Sequence, residues 1–122
     1  MGLINNFLDR FNKAECTVSP NKKLKTISSE FKEAFGVSLV FYKGNIIADS
    51  DLTLNQLNQK TTKQVTTSDA SLKITTNMKV GDAEKLFDKI FGVTVQIKDK
   101  SAKKLVPNEI TIGQAAREEY KK

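Results

Sequence analysis

Apolar residues near the start of the chain fall at Leu3, Ile4, Phe7, Leu8 and Phe11. That spacing puts them on one face of a helix, so residues 1–13 are expected to form a short amphipathic helix. Alone in water such a helix is marginal and needs a surface to bury against. From Ala14 the pattern changes to alternation. Cys16 and Val18 point inward and Thr17 outward, as in a half-buried strand. Helical spacing returns with Ile27, Phe31, Ala34 and Phe35, and Gly36 follows as a helix stop. Val37, Leu39 and Phe41 alternate again as a second strand. The turn Lys43-Gly44-Asn45 leads to a short strand, Ile46-Ile47-Ala48, and Asp51-Leu52-Thr53-Leu54 opens a short helix, Leu54–Asn58.

The same order recurs 56 residues later. Ala14–Lys43 lies over Ala70–Asp99 without a gap, with identities at Ala14/Ala70, Asn21/Asn77, Lys23/Lys79, Phe31/Phe87, Phe35/Phe91, Gly36/Gly92 and Val37/Val93. Apolar character is kept at Cys16/Leu72, Val18/Ile74, Leu24/Val80, Leu39/Val95 and Phe41/Ile97. After a two-residue insertion, Glu109-Ile110-Thr111-Ile112 lies over Asp51–Leu54. An internal duplication accounts for this correspondence; the alternative is two unrelated β-α-β units that share a pattern. In the second copy the helix face is Ala83, Leu86, Phe87, Ile90 and Phe91. Leu105-Val106 is read as its short strand, and Ile112–Tyr120 as its last helix. Thr26 and Asp82 stand where side-chain N-caps are expected.

These elements define an α+β fold of duplicated strand-helix-strand(-strand) units, with both helices packed on a small mixed sheet. Phe31, Phe35, Phe87 and Phe91 are expected to share one core. The organisation reads as an N-terminal helix (1–13), repeat 1 (14–59), a Thr-rich segment (60–69) and repeat 2 (70–122). The Thr-rich segment is either a linker or an edge strand around Val65. A copy of ~45 residues is near the lower limit for folding alone, so one compact domain is expected.

Composition narrows the chemistry. The 122 residues include no His, no Trp and one Cys. A His base, a Ser-His-Asp triad, a His-ligated metal and a Cys-rich zinc site are thereby excluded. One Cys forms no internal disulfide and calls for no oxidising compartment, so a cytoplasmic location is expected. No apolar run approaches the ~18–20 residues of a membrane span. The start lacks the basic region and cleavage site of a secretory signal. Gly2 invites a myristoylation reading, but Asn6 stands where Ser or Thr is required.

The run Leu39-Val40-Phe41-Tyr42-Lys43-Gly44-Asn45-Ile46-Ile47-Ala48-Asp49-Ser50-Asp51-Leu52-Thr53-Leu54 is similar to the corner of the ubiquitin-like β-grasp superfamily. There an acidic turn followed by Thr-Leu starts a short helical segment. Thr53-Leu54 and Thr111-Ile112 match that signature, over about 14–67 and 70–118. The resemblance implies a sheet face presented to a protein partner. A modifier role is not implied, because the chain closes on Glu118-Glu119-Tyr120-Lys121-Lys122 instead of Gly-Gly, and no first hairpin strand precedes Ala14.

Few residues carry candidate chemistry. Cys16, at an inward strand position, reads as a small buried hydrophobe. Asp49, Asp51, Asn108 and Glu109 read as turn and cap residues, since a calcium loop needs more oxygen ligands and a central Gly. Twenty basic residues against fourteen acidic ones give a net charge of +6. Lys22, Lys23 and Lys25 cluster before the first helix, and Lys98, Lys100, Lys103 and Lys104 in the second hairpin. Together these seven are a candidate phosphate-contacting set. Only Arg10 and Arg117 are arginines, which weighs against base readout, and no nucleotide-cradling glycine loop occurs.

The expectation is a non-enzymatic protein-interaction module with no cofactor and no metal. It would dock a protein partner or a second copy through Leu3, Ile4, Phe7, Leu8 and Phe11, a sheet face, or both. The alternative is a nucleic-acid-associated protein working through its lysines. Membrane-surface binding is disfavoured, because Asp9 and Glu15 offset Arg10 and Lys13.

Overall fold

The computed structural model describes residues 15–61 and 70–118. Its elements are β1 (Glu15–Val18), α1 (Leu24–Phe35), β2 (Ser38–Lys43), β3 (Ile46–Ile47), α2 (Leu54–Gln59), β4 (Leu72–Thr75), α3 (Val80–Phe91), β5 (Thr94–Lys98) and α4 (Ile112–Ala116). The expected N-terminal helix and the segment around Val65 lie outside the described residues.

The fold is α+β, but the single mixed sheet is corrected. Among the described residues there are two small antiparallel sheets, β1-β4 and β3-β2-β5. The physical reason is which strands become neighbours. A parallel ladder would need β1 beside β2 across the α1 crossover. Instead β1 pairs with β4, and β2 pairs with β5 on one side and β3 on the other. Each sheet therefore draws strands from both halves of the chain. In β1-β4 the register is Cys16↔Ile74, Thr17↔Lys73 and Val18↔Leu72. In β2-β5 it includes Leu39↔Ile97, Val40↔Gln96 and Phe41↔Val95.

The helices lock the halves further. α1 packs on β1 and β2 and touches α4, while α3 packs on β4 and β5 and touches α2. Each short helix thus meets the long helix of the other half. One apolar cluster results, with Phe31, Phe35, Phe87 and Phe91 fully buried in it. Phe31 and Phe35 meet edge to face at 4.9 Å. Phe41 of β2 meets Phe87 of α3 edge to face at 5.8 Å, a contact between halves. Leu86, Ile90 and Ala34, expected inward, are only partly buried at the margin of this cluster.

Both long helices stop where a left-handed residue is required. Gly36 (φ 73°) donates its amide to the Lys32 carbonyl, and Gly92 (φ 65°) donates to Asp88. A side chain at either position would be strained.

The N-terminal caps differ from the expected ones. α1 starts at Leu24 after Lys23, and α3 at Val80 after Lys79, with no side-chain cap bond. The first-turn amides bond instead to a loop: Leu24 N to Leu52 O (2.8 Å), Lys25 N to Ser50 O (3.1 Å), Val80 N to Ile110 O (2.8 Å) and Gly81 N to Asn108 O (2.9 Å). With the orphan donors satisfied by backbone, Thr26 and Asp82 have no cap to form. Capping boxes belong to the short helices, Thr53 with Gln56 and Thr111 with Gln114. That Thr-x-x-Gln signal stands in the sequence at both places. Leu105 contributes one bridge, to Lys98, instead of a strand. α4 ends at Ala116, short of Tyr120, and Glu118 follows at φ 57°.

Candidate functional site: a depression lined by serine and lysine

α1 presents Lys25, Ser28, Ser29 and Lys32 on one side, at the spacing of neighbours on a helix surface. β3 pairs only with Tyr42 and Lys43, so among the described residues the Ser38–Val40 stretch of β2 has an open edge facing that helix. Between them lies a depression of about 480 Å³, walled by Lys25, Lys32, Ser28, Ser29, Ser38 and Ser50 and floored by Leu39 and Val40. Ser28 Oγ donates to the Leu39 carbonyl at 2.7 Å, which ties α1 to that edge. Ser38 Oγ donates to the Lys100 carbonyl at 3.3 Å, which ties in the 99–104 loop.

That loop is organised by Asp99. Its Oδ1 accepts from Ser101 Oγ at 2.8 Å and from the Lys103 amide at 3.0 Å. Ala102, held at φ 62°, reaches the rim of the depression. Of the two lysine clusters, only Lys25 lines the depression. Lys25 joins Lys32 on the helix side, and the 99–104 loop contributes Ala102 and the main-chain carbonyl of Lys100.

The other predicted lysines do not join them. Lys22 Nζ pairs with Glu30 at 2.8 Å and lines a separate depression with Glu15 and Glu33. Lys23 is exposed at the helix start. Lys98 Nζ lies 5.6 Å from the centre of the Tyr42 ring, on the outer face of the sheet. Lys104 bonds back to Asp99 through its main chain, its carbonyl accepting from the Asp99 amide at 2.8 Å. Leu3, Ile4, Phe7, Leu8 and Phe11 lie outside the described residues.

The same place in the second half has the opposite sign. A depression of about 470 Å³ there is lined by Asp82, Glu84, Asp88 and Glu109, with Lys85 among them. At the offset of 56, Ser28 corresponds to Glu84 and Lys32 to Asp88; at 58, Ser50 corresponds to Asn108. Glu84 Oε2 accepts the Ile97 amide at 2.8 Å, while burial raises its carboxyl pKa above the ordinary value.

Asp49 and Asp51 do turn chemistry. Asp49 Oδ1 accepts the Asp51 amide at 3.0 Å, and Asp51 pairs with Lys25 at 2.9 Å. The hydrogen bond from Lys25 holds the Asp51 carboxyl below its usual pKa. Among the described residues no group of three or more His, Cys, Asp or Glu could hold a metal ion. Cys16 is buried, and its thiol is pushed up to about 11, first by burial and then by Glu30, with Lys22 opposing. No described helix is long and apolar enough to cross a membrane.

Sequence reasoning placed Lys25, Lys100 and Lys103 in the candidate set and missed Lys32 and the four serines. The helical spacing of Lys25, Ser28, Ser29 and Lys32 was visible, but their meeting with Ser38, Ser50 and the 99–104 loop is a tertiary fact. No family model matches the chain, and no curated protein or solved structure is significantly similar to it.

Proposed function

We propose that the chain is a non-enzymatic protein-interaction module built by duplication, docking its partner through the outer face of the β3-β2-β5 sheet. The observation that carries this is where the large exposed aliphatics sit. Among the described residues they are Ile46, Ile47 and Leu105. Ile47 pairs with Tyr42, and Leu105 bridges Lys98. Residues paired across antiparallel strands share a face. Ile47 and Leu105 therefore flank the face of Tyr42, Val40 and Lys98, opposite the buried Leu39, Phe41 and Ile97. Single exposed aliphatics are ordinary, whereas two on one small sheet face support docking there; Ile46, paired with Lys43, falls on the other side.

The duplication is supported by the registers. Shifting by 56 turns the pair Cys16↔Ile74 into Leu72↔Val18, and Leu39↔Ile97 into Val95↔Phe41. Thr17↔Lys73 and Val40↔Gln96 map onto themselves, as residues on a pseudo-twofold axis do. The matching capping boxes agree with it. The ubiquitin-like likeness of the 39–54 corner fits a module that offers a sheet face, and the lone cysteine fits a cytoplasmic setting. The Leu3, Ile4, Phe7, Leu8 and Phe11 face is a second docking element in this reading. A continuous nucleic-acid track is less well supported, because Lys22 is set apart among carboxylates.

The test compares the full chain, an Ile47→Glu/Leu105→Glu variant and a chain lacking residues 1–12 in affinity capture with nuclease treatment. The sheet variant should melt like the parent and lose its bound proteins. Retention of every partner by that variant would overturn docking through the sheet. Loss of all capture on nuclease treatment would favour nucleic acid.

A further inference from the structure

We propose that the depression between α1 and the open edge of β2 binds a phosphate monoester, held by the Lys25 and Lys32 ammonium groups and the Ser29 and Ser50 hydroxyls. This goes beyond docking through the sheet face and engages different polar groups, although Val40 borders both surfaces.

Among the described residues no carboxylate lines the depression. The Ser28 and Ser38 hydroxyl protons are committed to the Leu39 and Lys100 carbonyls, so these serines fix the walls. Ser29 and Ser50 are exposed at the site and supply free hydroxyl donors. Two ammonium groups and two hydroxyls complement a group that carries up to two charges and three acceptor oxygens at pH 7.

The charge is not a requirement of the scaffold. The matching depression in the second half is built on the same elements and carries Glu84 and Asp88 where this one carries Ser28 and Lys32. The fold accommodates either sign, so the sign of each depression is free to serve a ligand.

A monoester fits better than a nucleic-acid backbone. Diesters carry one charge each and reward a long basic track. Here two cations line one wall of a single concavity, and Lys22 is diverted to Glu30. Asp51 competes for Lys25, but both partners of that pair are largely exposed, and such pairs are weak. A dianion in the depression can recruit Lys25 from it.

The experiment is an amide chemical-shift titration of the full chain at constant ionic strength. The probes are inorganic phosphate, O-phospho-L-serine and a thymidine oligonucleotide. Saturable shifts at Ser29, Lys32, Ser38, Ser50 and Ala102 are expected with the first two. Lys32→Glu should weaken binding at least tenfold, Asp51→Asn should tighten it severalfold, and Asp88→Asn should leave it unchanged. The spectra themselves report whether each variant is folded. Tighter binding of phosphoserine than of phosphate identifies a phosphorylated polypeptide as the source; equal binding identifies the free anion. Linear shifts spread over all lysines, or no effect of Lys32→Glu in a folded variant, would overturn the site. So would stronger oligonucleotide binding that reaches Lys22 and Lys23.

Discussion

Asn58 Nδ2 donates a 2.7 Å hydrogen bond to the Phe91 carbonyl, joining the short helix of the first half to the end of the long helix of the second. Asn58 is 2% exposed, one of few buried polar residues in the structure. The Phe91 carbonyl belongs to the last turn of α3, where helix carbonyls lack intrahelical partners. Removing the donor leaves that carbonyl buried and unpaired. Asn58→Ala should therefore cost about 1–3 kcal/mol in urea unfolding. If the halves fold as one unit, the transition stays single, with a lower midpoint and an unchanged slope.

The phenylalanines test the shared core. Phe35 and Phe91 are each fully buried at the end of a long helix. Phe35→Ala or Phe91→Ala should cost roughly 3–5 kcal/mol. Tyrosine fluorescence and far-ultraviolet dichroism should report the same lowered midpoint. Separate transitions for the two probes would mean that the halves are independent.

The Cys16 thiol, pushed up to about 11, should resist alkylation at pH 8 in the native protein and react on unfolding. The linkage follows from protons bound. Above pH ~9 the unfolded thiol ionises while the buried one stays protonated. The unfolded state then binds fewer protons, so stability falls as pH rises from about 9 to about 11. Cys16→Ala should flatten that part of the stability profile.

Glu84 gives a window on the acid side. Burial raises its carboxyl pKa, so just above the ordinary value of 4.5 the folded state binds more protons than the unfolded one. Its contribution therefore lowers stability as pH rises through that window. Glu84→Gln keeps an oxygen acceptor for the Ile97 amide and removes the buried charge. The variant should equal or exceed the parent in stability at pH 7 and lose that part of the pH dependence. A large loss at pH 7 would show that the ionised form is required.

Local order was legible because it rests on local chemistry. Alternation at Cys16 and Val18, helical spacing through Phe31 and Phe35, and the glycine stops at 36 and 92 each report on a few adjacent residues. The structure has strand, helix and strand in that order in both halves. Burial of the four helix phenylalanines follows from the same periodicity. The Thr53 and Thr111 capping boxes were equally local, and their signal was available.

What only the tertiary structure decided is who pairs with whom. A strand's sequence shows which face is apolar but not which edge meets which neighbour, so one mixed sheet and two antiparallel sheets were equally compatible with it. The helix starts were misread for the same reason. Thr26 and Asp82 are good caps in isolation, but the carbonyls of Leu52, Ser50, Ile110 and Asn108 reach the amides first. The serine- and lysine-lined depression is wholly a product of this assembly. Lys25, Ser38 and Ala102 come from a helix, a strand and a loop of different halves, and only packing brings them around one cavity.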